Sequence, residues 1–139
     1  MSSFRDKLLA TTDRFIRVMS GGTVDEVVSV RSANCVQRTL PSSLKAPSMN
    51  NKEFAAFHSS VSGDLSDFQV WLAPGTEPIV DETSRRVALH LHSRANGKNG
   101  IYSNEYIFLL LMSEDGSLLE EVVEFTDSAY VQSYFQPQE

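Results

Sequence analysis

The side chains with the clearest chemical potential in this sequence are a histidine and several carboxylates on extended segments. His90 is central in Arg85–Arg94, where polar and apolar residues alternate. A histidine near its reference pKa can accept or donate a proton at neutral pH. His90 could therefore be a general acid or base, or a histidine that faces solvent or a second subunit. His92 shares its face and is expected to be structural.

Two carboxylates follow on neighbouring segments. Glu105 lies among the apolar residues of Ile101–Met112, where burial would raise its pKa and suit it to acid–base work. An ion pair with an arginine is the alternative interpretation. Pairing across the turn at Glu114–Gly116 would place Glu105 beside Phe125, with Asp127 on the same face. Two carboxylates on one face can divide into an acid and a base, although Asp127 could equally cap the helix that follows it.

Two further charged residues carry different expectations. Glu124 has the opposite strand parity to Phe125 and Asp127. If those two residues face a cavity, Glu124 should point the other way, and we expect it to be a charged residue on the surface. Arg38 follows Gln37 on an extended segment. A guanidinium in a cavity could hold a carboxylate or a lactone carbonyl through two hydrogen bonds, whereas on the surface Arg38 would be an ordinary solvated arginine.

Polar and aromatic side chains could complete a substrate site. Asn104 and the hydroxyl groups of Tyr102 and Tyr106 lie on one segment and could hydrogen-bond substrate carbonyls. Phe15 and Trp71 are more typical of a hydrophobic core. In a fold that encloses a cavity, such residues can also form the wall that contacts a ligand.

Other chemistries have weak support in the sequence. It contains no glycine-rich loop of the phosphate-binding type. His90 and His92 could ligate a metal ion, but no third ligand is evident. Cys35 lacks the context of a nucleophile. We therefore predict neither a metal site nor a bound cofactor.

The composition is that of one ordinary globular domain, residues 1–139. The net charge of −6 argues against a nucleic-acid partner, which would favour a basic surface. The longest apolar run, Ile107–Met112, is too short to cross a bilayer, so we predict no membrane insertion. Arg5–Lys7 interrupts any signal peptide, and a single cysteine cannot form an internal disulfide. These features favour a cytoplasmic protein.

Periodicity predicts the elements that must position these residues. Helical spacing predicts a helix from Ser3 to about Met19, a capping-box pattern at Thr23–Glu26 predicts a second, and Asn50 or Asn51 begins a third. Alternating or apolar segments predict strands at Cys35–Leu40, Asp67–Ala73, Ile79–Asp81, Arg85–Arg94, Ile101–Met112 and Leu118–Thr126, and a short helix or tail at Ser128–Phe135.

This order of elements predicts the α+β class. Helices segregated from strands indicate a curved antiparallel sheet packed on the N-terminal helices. Wrapping such a sheet on the first helix would leave a cone-shaped cavity, where a ligand could bind. The segment Ile107–Met112 is apolar on both faces, and one helical layer covers only one face. We therefore also predict a homodimer.

Five segments form an ordered set that spans nearly the whole chain. They are RDKLLATTDRFI at 5–16, R-x-x-N-C-V at Arg31–Val36, V-A-L-H at Val87–His90, Y-x-N-E-Y at Tyr102–Tyr106, and M-S-E-D-G followed by E-F-x-D-S-A-Y within Met112–Tyr130. In this order they resemble the SnoaL-like branch of the NTF2-like superfamily. Within that branch, the similarity is to the small isomerases of fungal meroterpenoid biosynthesis of the terretonin and austinol type.

The resemblance implies a cofactor-free enzyme with the NTF2-like cone fold, usually a homodimer, that rearranges a lactone or ester ring of a hydrophobic polycyclic terpenoid. It also places a histidine at His90 and a catalytic acid at Asp127. The resulting hypothesis is that Arg38 binds an ester, lactone or carboxylate oxygen and that His90 and Glu105 move protons. Asp127 would orient a partner or serve as a second acid. The alternative is a non-catalytic NTF2-like binding or dimerisation module, whose cavity would be filled or shallow.

Overall fold

A computed structural model describes residues 3–136, and this range forms four α-helices, one short 3-10 helix and six strands. The α-helices are α1 (Phe4–Met19), α2 (Val24–Ser29), α3 (Asn51–Asp64) and α4 (Ser128–Tyr134), with the 3-10 helix at Ser42–Leu44. The strands are β1 (Arg31–Leu40), β2 (Leu65–Leu72), β3 (Ile79–Asp81), β4 (Arg86–Gly97), β5 (Gly100–Met112) and β6 (Leu119–Thr126). None of the helices in this range is long and apolar enough to cross a membrane.

Side-chain caps fix where the first three helices begin. Ser3 accepts a hydrogen bond from the Asp6 amide, and the Asp6 carboxylate accepts one from the Ser3 amide, which closes a capping box. Thr23 and Asn50 form the same arrangement with the residues three positions later. Each cap satisfies an amide that the helix leaves unpaired and is worth about 1 kcal/mol. The predicted helix starts at Ser3 and Thr23 are confirmed.

The strands form one sheet in the order β1-β6-β5-β4-β2, and β3 pairs with the start of β4. The antiparallel meander of β4, β5 and β6 is confirmed, as is the α+β class with helices packed on a curved sheet. The β1–β6 pair is parallel, with Gln37 beside Val122 and Leu40 beside Phe125. The sheet is therefore mixed rather than wholly antiparallel, because no hairpin turn constrains the direction of two strands so distant in sequence.

The hydrophobic core lies between α1 and the inner face of the sheet. Alternate residues of β4, among them Leu89 and Leu91, point toward α1, and Phe108 of β5 does the same. Leu8 and Phe15 of α1 pack on them, with the Phe15 and Phe108 rings edge to face at 5.4 Å. Burial of each such side chain contributes about 1.5–3 kcal/mol. This packing defines the inner face as the one that carries Leu89 and Phe108.

The opposite, outer face of the sheet is also apolar. Ile107, Leu109 and Phe125 each expose close to half of their surface there, and Trp71 exposes 39%. Ile107, Leu109 and Phe125 lie on the neighbouring strands β5 and β6 and form one patch, whereas Trp71 lies on β2, beyond β4. Patches of this kind mark surfaces that contact another molecule.

Candidate active site within the cone

A cavity of about 650 Å³ lies between the inner face of the sheet and α3. Its walls are mostly apolar, and its volume is in the range typical of small-molecule sites. The side chains that line it include Met49, Phe54, Phe57, His58 and Val61 around α3, Phe68 from β2, Gln37 and Thr39 from β1, Tyr102 and Tyr106 from β5, Glu124 and Thr126 from β6, and Val131 and Phe135 near the C-terminal end.

Glu124 is the ionisable group best placed for chemistry in this cavity. Its side chain is partly buried in the β6 wall. Removal from water raises its pKa from 4.5 to about 7, and the positive charge of Arg31 opposes that rise. A carboxyl group with this pKa is present in both protonation states at neutral pH. It can therefore accept or donate a proton, as a general base or acid must.

Arg31 supplies a buried positive charge behind the cavity wall. Its guanidinium lies 3.8 Å from the centroid of the Phe54 ring and donates a hydrogen bond of 2.8 Å to the Gln37 side-chain oxygen. Burial lowers the pKa of Arg31, yet an arginine remains charged at neutral pH. Its Nε has no hydrogen-bond partner among residues 3–136. Arg31 thus fixes the orientation of Gln37 and acts on Glu124 through its charge.

Hydroxyl and amide groups form a polar stripe on the sheet floor of the cavity. The Asn104 amide donates to the Tyr102 hydroxyl at 2.6 Å and to the Thr126 hydroxyl at 3.0 Å. The Tyr106 and Ser93 hydroxyls share a hydrogen bond of 2.7 Å. Burial raises the pKa of both tyrosines, so they stay protonated. They are therefore suited to hydrogen-bond a substrate oxygen without transferring a proton to it.

The predicted substrate-binding residues separate into three locations. Tyr102 and Tyr106 line the cavity, and Asn104 is buried beside them, where it orients the Tyr102 hydroxyl. Phe15 belongs to the core and does not line the cavity. Trp71 lies on the outer face, stacked on His92.

His90 and Glu105 lie together, as predicted, but away from the cavity. His90 Nε2 and a Glu105 carboxylate oxygen are 2.5 Å apart on the outer face. The predicted orientation toward a cavity is wrong, because the alternating partners Leu89 and Leu91 occupy the inner face instead. Asp127 also lies outside the cavity. It caps α4 by accepting a hydrogen bond from the Tyr130 amide at 3.2 Å.

Arg38 also lies outside the cavity. Its neighbour Gln37 points inward, so Arg38 projects from the other face of β1 and forms an exposed ion pair with Glu121 at 3.0 Å. Arg38 is therefore a surface arginine, as the alternative interpretation of the sequence expected. None of the four residues predicted to be catalytic lines the cavity of the described chain.

The expectation that Glu124 is a surface charge is wrong, because its side chain lines the cavity. In β6 both faces carry apolar side chains, with Val122 inside and Val123 and Phe125 on the other side, so alternation alone does not identify the inner face. The informative signal is the strand register. Glu124 pairs with Phe108, a core residue that shares its face with the cavity tyrosines.

Known proteins resemble the chain in sequence and in fold. No protein-family model matches it. The austinoid biosynthesis cluster protein H of Aspergillus calidoustus is 37% identical over 130 residues, which are 93% of this chain and 88% of that protein. BvnE pinacolase from Penicillium brevicompactum has a crystal structure with a TM-score of 0.93 at 36% identity, over 96% of this chain and 92% of that one. A putative SnoaL-like polyketide cyclase from Shewanella denitrificans OS-217 shares the fold, with a TM-score of 0.75 at 10% identity, over 94% and 98% of the two chains.

Proposed function

The chain belongs to the family of the austinoid biosynthesis cluster proteins and has the SnoaL-like fold, and from this membership we propose that it is a cofactor-free acid–base isomerase of secondary metabolism. Its substrate would be a hydrophobic polycyclic meroterpenoid, and its reaction the rearrangement of a lactone or ester ring. The observation that supports this proposal is Glu124, a carboxyl group with a pKa of about 7 in the wall of a largely apolar cavity.

The shape and chemistry of the cavity favour a rigid apolar substrate that carries a few oxygens. Phe54, Phe57 and Val61 offer an apolar surface on the α3 side, against which fused rings can pack. Apart from His58 and Ser62 on α3, the polar groups lie on the sheet side, where the hydroxyls of Tyr102 and Tyr106 can bind carbonyl or ester oxygens. This arrangement suits a substrate that carries most of its oxygens on the side that faces the sheet.

Glu124 would carry out the proton transfers of the rearrangement. Opening and reclosing a ring by acyl transfer needs one proton removed from an oxygen or carbon and another supplied to the leaving oxygen. Ionised Glu124 would remove the first proton, and the resulting acid would supply the second. A single positioned acid or base typically accelerates such a step by about 10²–10⁴-fold. We assign this role to Glu124 in place of His90 and Glu105, which lie on the other side of the sheet.

An enzyme is favoured over a binding or dimerisation module by the contents of the cavity. A module has no need to place an ionisable carboxyl group and two tyrosine hydroxyls in an otherwise apolar space, because removing polar groups from water costs free energy. Glu124, Tyr102 and Tyr106 all line the cavity. Their presence gives the cavity the groups that proton transfer and oxyanion binding require.

The proposal is tested by incubating the purified protein with candidate meroterpenoid lactones and esters and following products by liquid chromatography and mass spectrometry. We expect a product of unchanged mass whose carbonyl carbons differ by NMR, and we expect it to be absent with Glu124→Gln. Formation of the product at the wild-type rate by Glu124→Gln would contradict the role of Glu124. A product of changed mass would contradict isomerisation.

We also propose that the protein is a homodimer that uses the apolar outer face. Ile107, Leu109 and Phe125 are too exposed for an isolated chain to gain from their hydrophobicity. A two-fold contact between the outer faces of two copies would bury these three side chains on both copies. Each Å² of apolar surface removed from water would contribute about 25 cal/mol to the stability of the dimer. The cavities would remain open, because they lie on the opposite side of each sheet.

A further inference from the structure

Three side chains that the proposed reaction does not use converge on the outer face of the sheet. His90 and His92 are two residues apart on β4, so both project to that face, and Glu105 pairs directly with His92 across the β4–β5 ladder. Glu105 Oε2 lies 2.5 Å from His90 Nε2 and 3.9 Å from His92 Nε2. One potential ligand atom from each residue lies within 4.8 Å of the other two.

These distances suit a metal ion. Zinc binds histidine nitrogens and carboxylate oxygens at about 2.0–2.2 Å, which in a tetrahedral site separates neighbouring ligand atoms by roughly 3.3 Å. The two distances from Glu105 Oε2 lie on either side of this value. Rotation of the carboxylate away from His90 and toward His92 would equalise them. The strands need not move, because the three residues are already neighbours in the sheet.

The surrounding side chains restrict the two imidazoles. The Trp71 ring stacks on His92 with centroids 6.4 Å apart and an angle of 27° between the planes. The His90 and His92 rings lie 5.2 Å apart. Ligands carried on paired strands are held more accurately than ligands on loops. The exposed side of the cluster leaves a fourth coordination position for water or for a residue of a second copy.

We propose that His90, His92 and Glu105 bind one divalent transition-metal ion, of the class to which zinc belongs, on the outer face of the sheet. Two imidazoles and one carboxylate are ligands that zinc and its first-row neighbours accept, whereas calcium and magnesium prefer oxygen ligands alone. The site is separated from the cavity by the thickness of the sheet. Its role would therefore lie in stability or assembly rather than in the isomerisation.

The test uses the full chain with any affinity tag removed, stripped of metal by a chelator and then titrated with zinc chloride in a calorimeter. We expect one ion per chain, and an affinity at least tenfold weaker in His92→Ala and in Glu105→Gln. His58→Ala is the matched control, since the chain has three histidines and His58 lies at the cavity instead. Its zinc affinity should equal that of the wild type.

A cobalt titration gives an independent measurement. Tetrahedral Co²⁺ absorbs visible light more strongly than hydrated Co²⁺, so we expect wild-type bands that His92→Ala loses. Glu105→Gln keeps the shape of the side chain and a hydrogen-bonding partner for His90, so it separates metal binding from a simple histidine–carboxylate contact. Equal zinc affinity in the wild type and Glu105→Gln would overturn the proposal. Equal weakening by His58→Ala would do so as well.

Discussion

Replacing Glu124 by Gln should lower activity and raise stability in the same molecule. The amide cannot exchange a proton, so turnover should fall by about 10²–10⁴-fold. Stability responds through the pKa of Glu124, which rises from 4.5 in the unfolded chain to about 7 in the folded one. Between these two values the unfolded chain has released its proton and the folded chain has not. The free energy of unfolding of the wild type must therefore decrease as pH rises from about 4.5 to about 7.

The size of this decrease follows from the pKa difference. The pKa of Glu124 is higher by about 2.5 in the folded chain than in the unfolded chain. At 1.36 kcal/mol for each pKa unit, this difference lowers the free energy of unfolding by about 3 kcal/mol. Glu124→Gln lacks this dependence. At pH 8 it should be more stable than the wild type by up to about 3 kcal/mol, or roughly 10 °C in melting temperature for a domain of this size. At pH 4.5 the two proteins should differ little, because Glu124 is protonated in both the folded and the unfolded wild type.

The measurement is a set of urea denaturation curves at pH 4.5, 6 and 8, combined with turnover at pH 7. Glu121→Gln is the matched control, since it makes the same change on the same strand but removes only an exposed ion pair with Arg38, worth about 0–1 kcal/mol. It should keep the activity and the pH dependence of the wild type. A Glu124→Gln protein whose stability follows the wild-type pH profile would refute the raised pKa. Retained turnover would refute the catalytic role.

Four further outcomes are expected. Arg31→Met removes the charge that opposes the rise in the pKa of Glu124, so the pKa read from the pH profile of kcat/KM should move above about 7; an unchanged profile would contradict this coupling. Arg38→Ala should keep turnover within about twofold, because Arg38 lies outside the cavity, and a loss of tenfold or more would restore its predicted role. Leu109→Arg should convert a dimer to a monomer in light scattering at micromolar concentration, whereas a monomeric wild type would count against the dimer. Chelator treatment should leave turnover unchanged, and a loss reversed by added metal would contradict cofactor-free catalysis.

Local signals in the sequence were sufficient for most of the fold. The caps at Ser3 and Thr23 are local because side chain and amide are only three residues apart. The meander follows from alternation and turn residues, which also act over short distances. The parallel pairing of β1 with β6 has no such signal, since it depends on how distant parts of the chain meet.

The site was harder to predict because both faces of the meander are apolar. Alternation correctly placed His90 and Glu105 on one face. It did not show that this face points away from α1, since Ile107 and Leu109 are as hydrophobic as the residues of the inner face. The same uncertainty placed Glu124 on the surface, because Glu124 lies on the face opposite to that of His90 and Glu105. Deciding between the faces requires the packing of α1, which a strand pattern does not contain.

The alternation along β6 also has an evolutionary consequence. Val122, Glu124 and Thr126 point toward the core and cavity, whereas the residues between them, Val123 and Phe125, point toward the opposite surface. A substitution at an even-numbered position can alter the lining of the cavity without changing the outer surface, and a substitution at an odd-numbered position can do the reverse. Two selective pressures can therefore act on neighbouring codons of one strand without interfering. Insertion or deletion of a single codon within the strand would exchange the two sets of side chains and disrupt both properties at once.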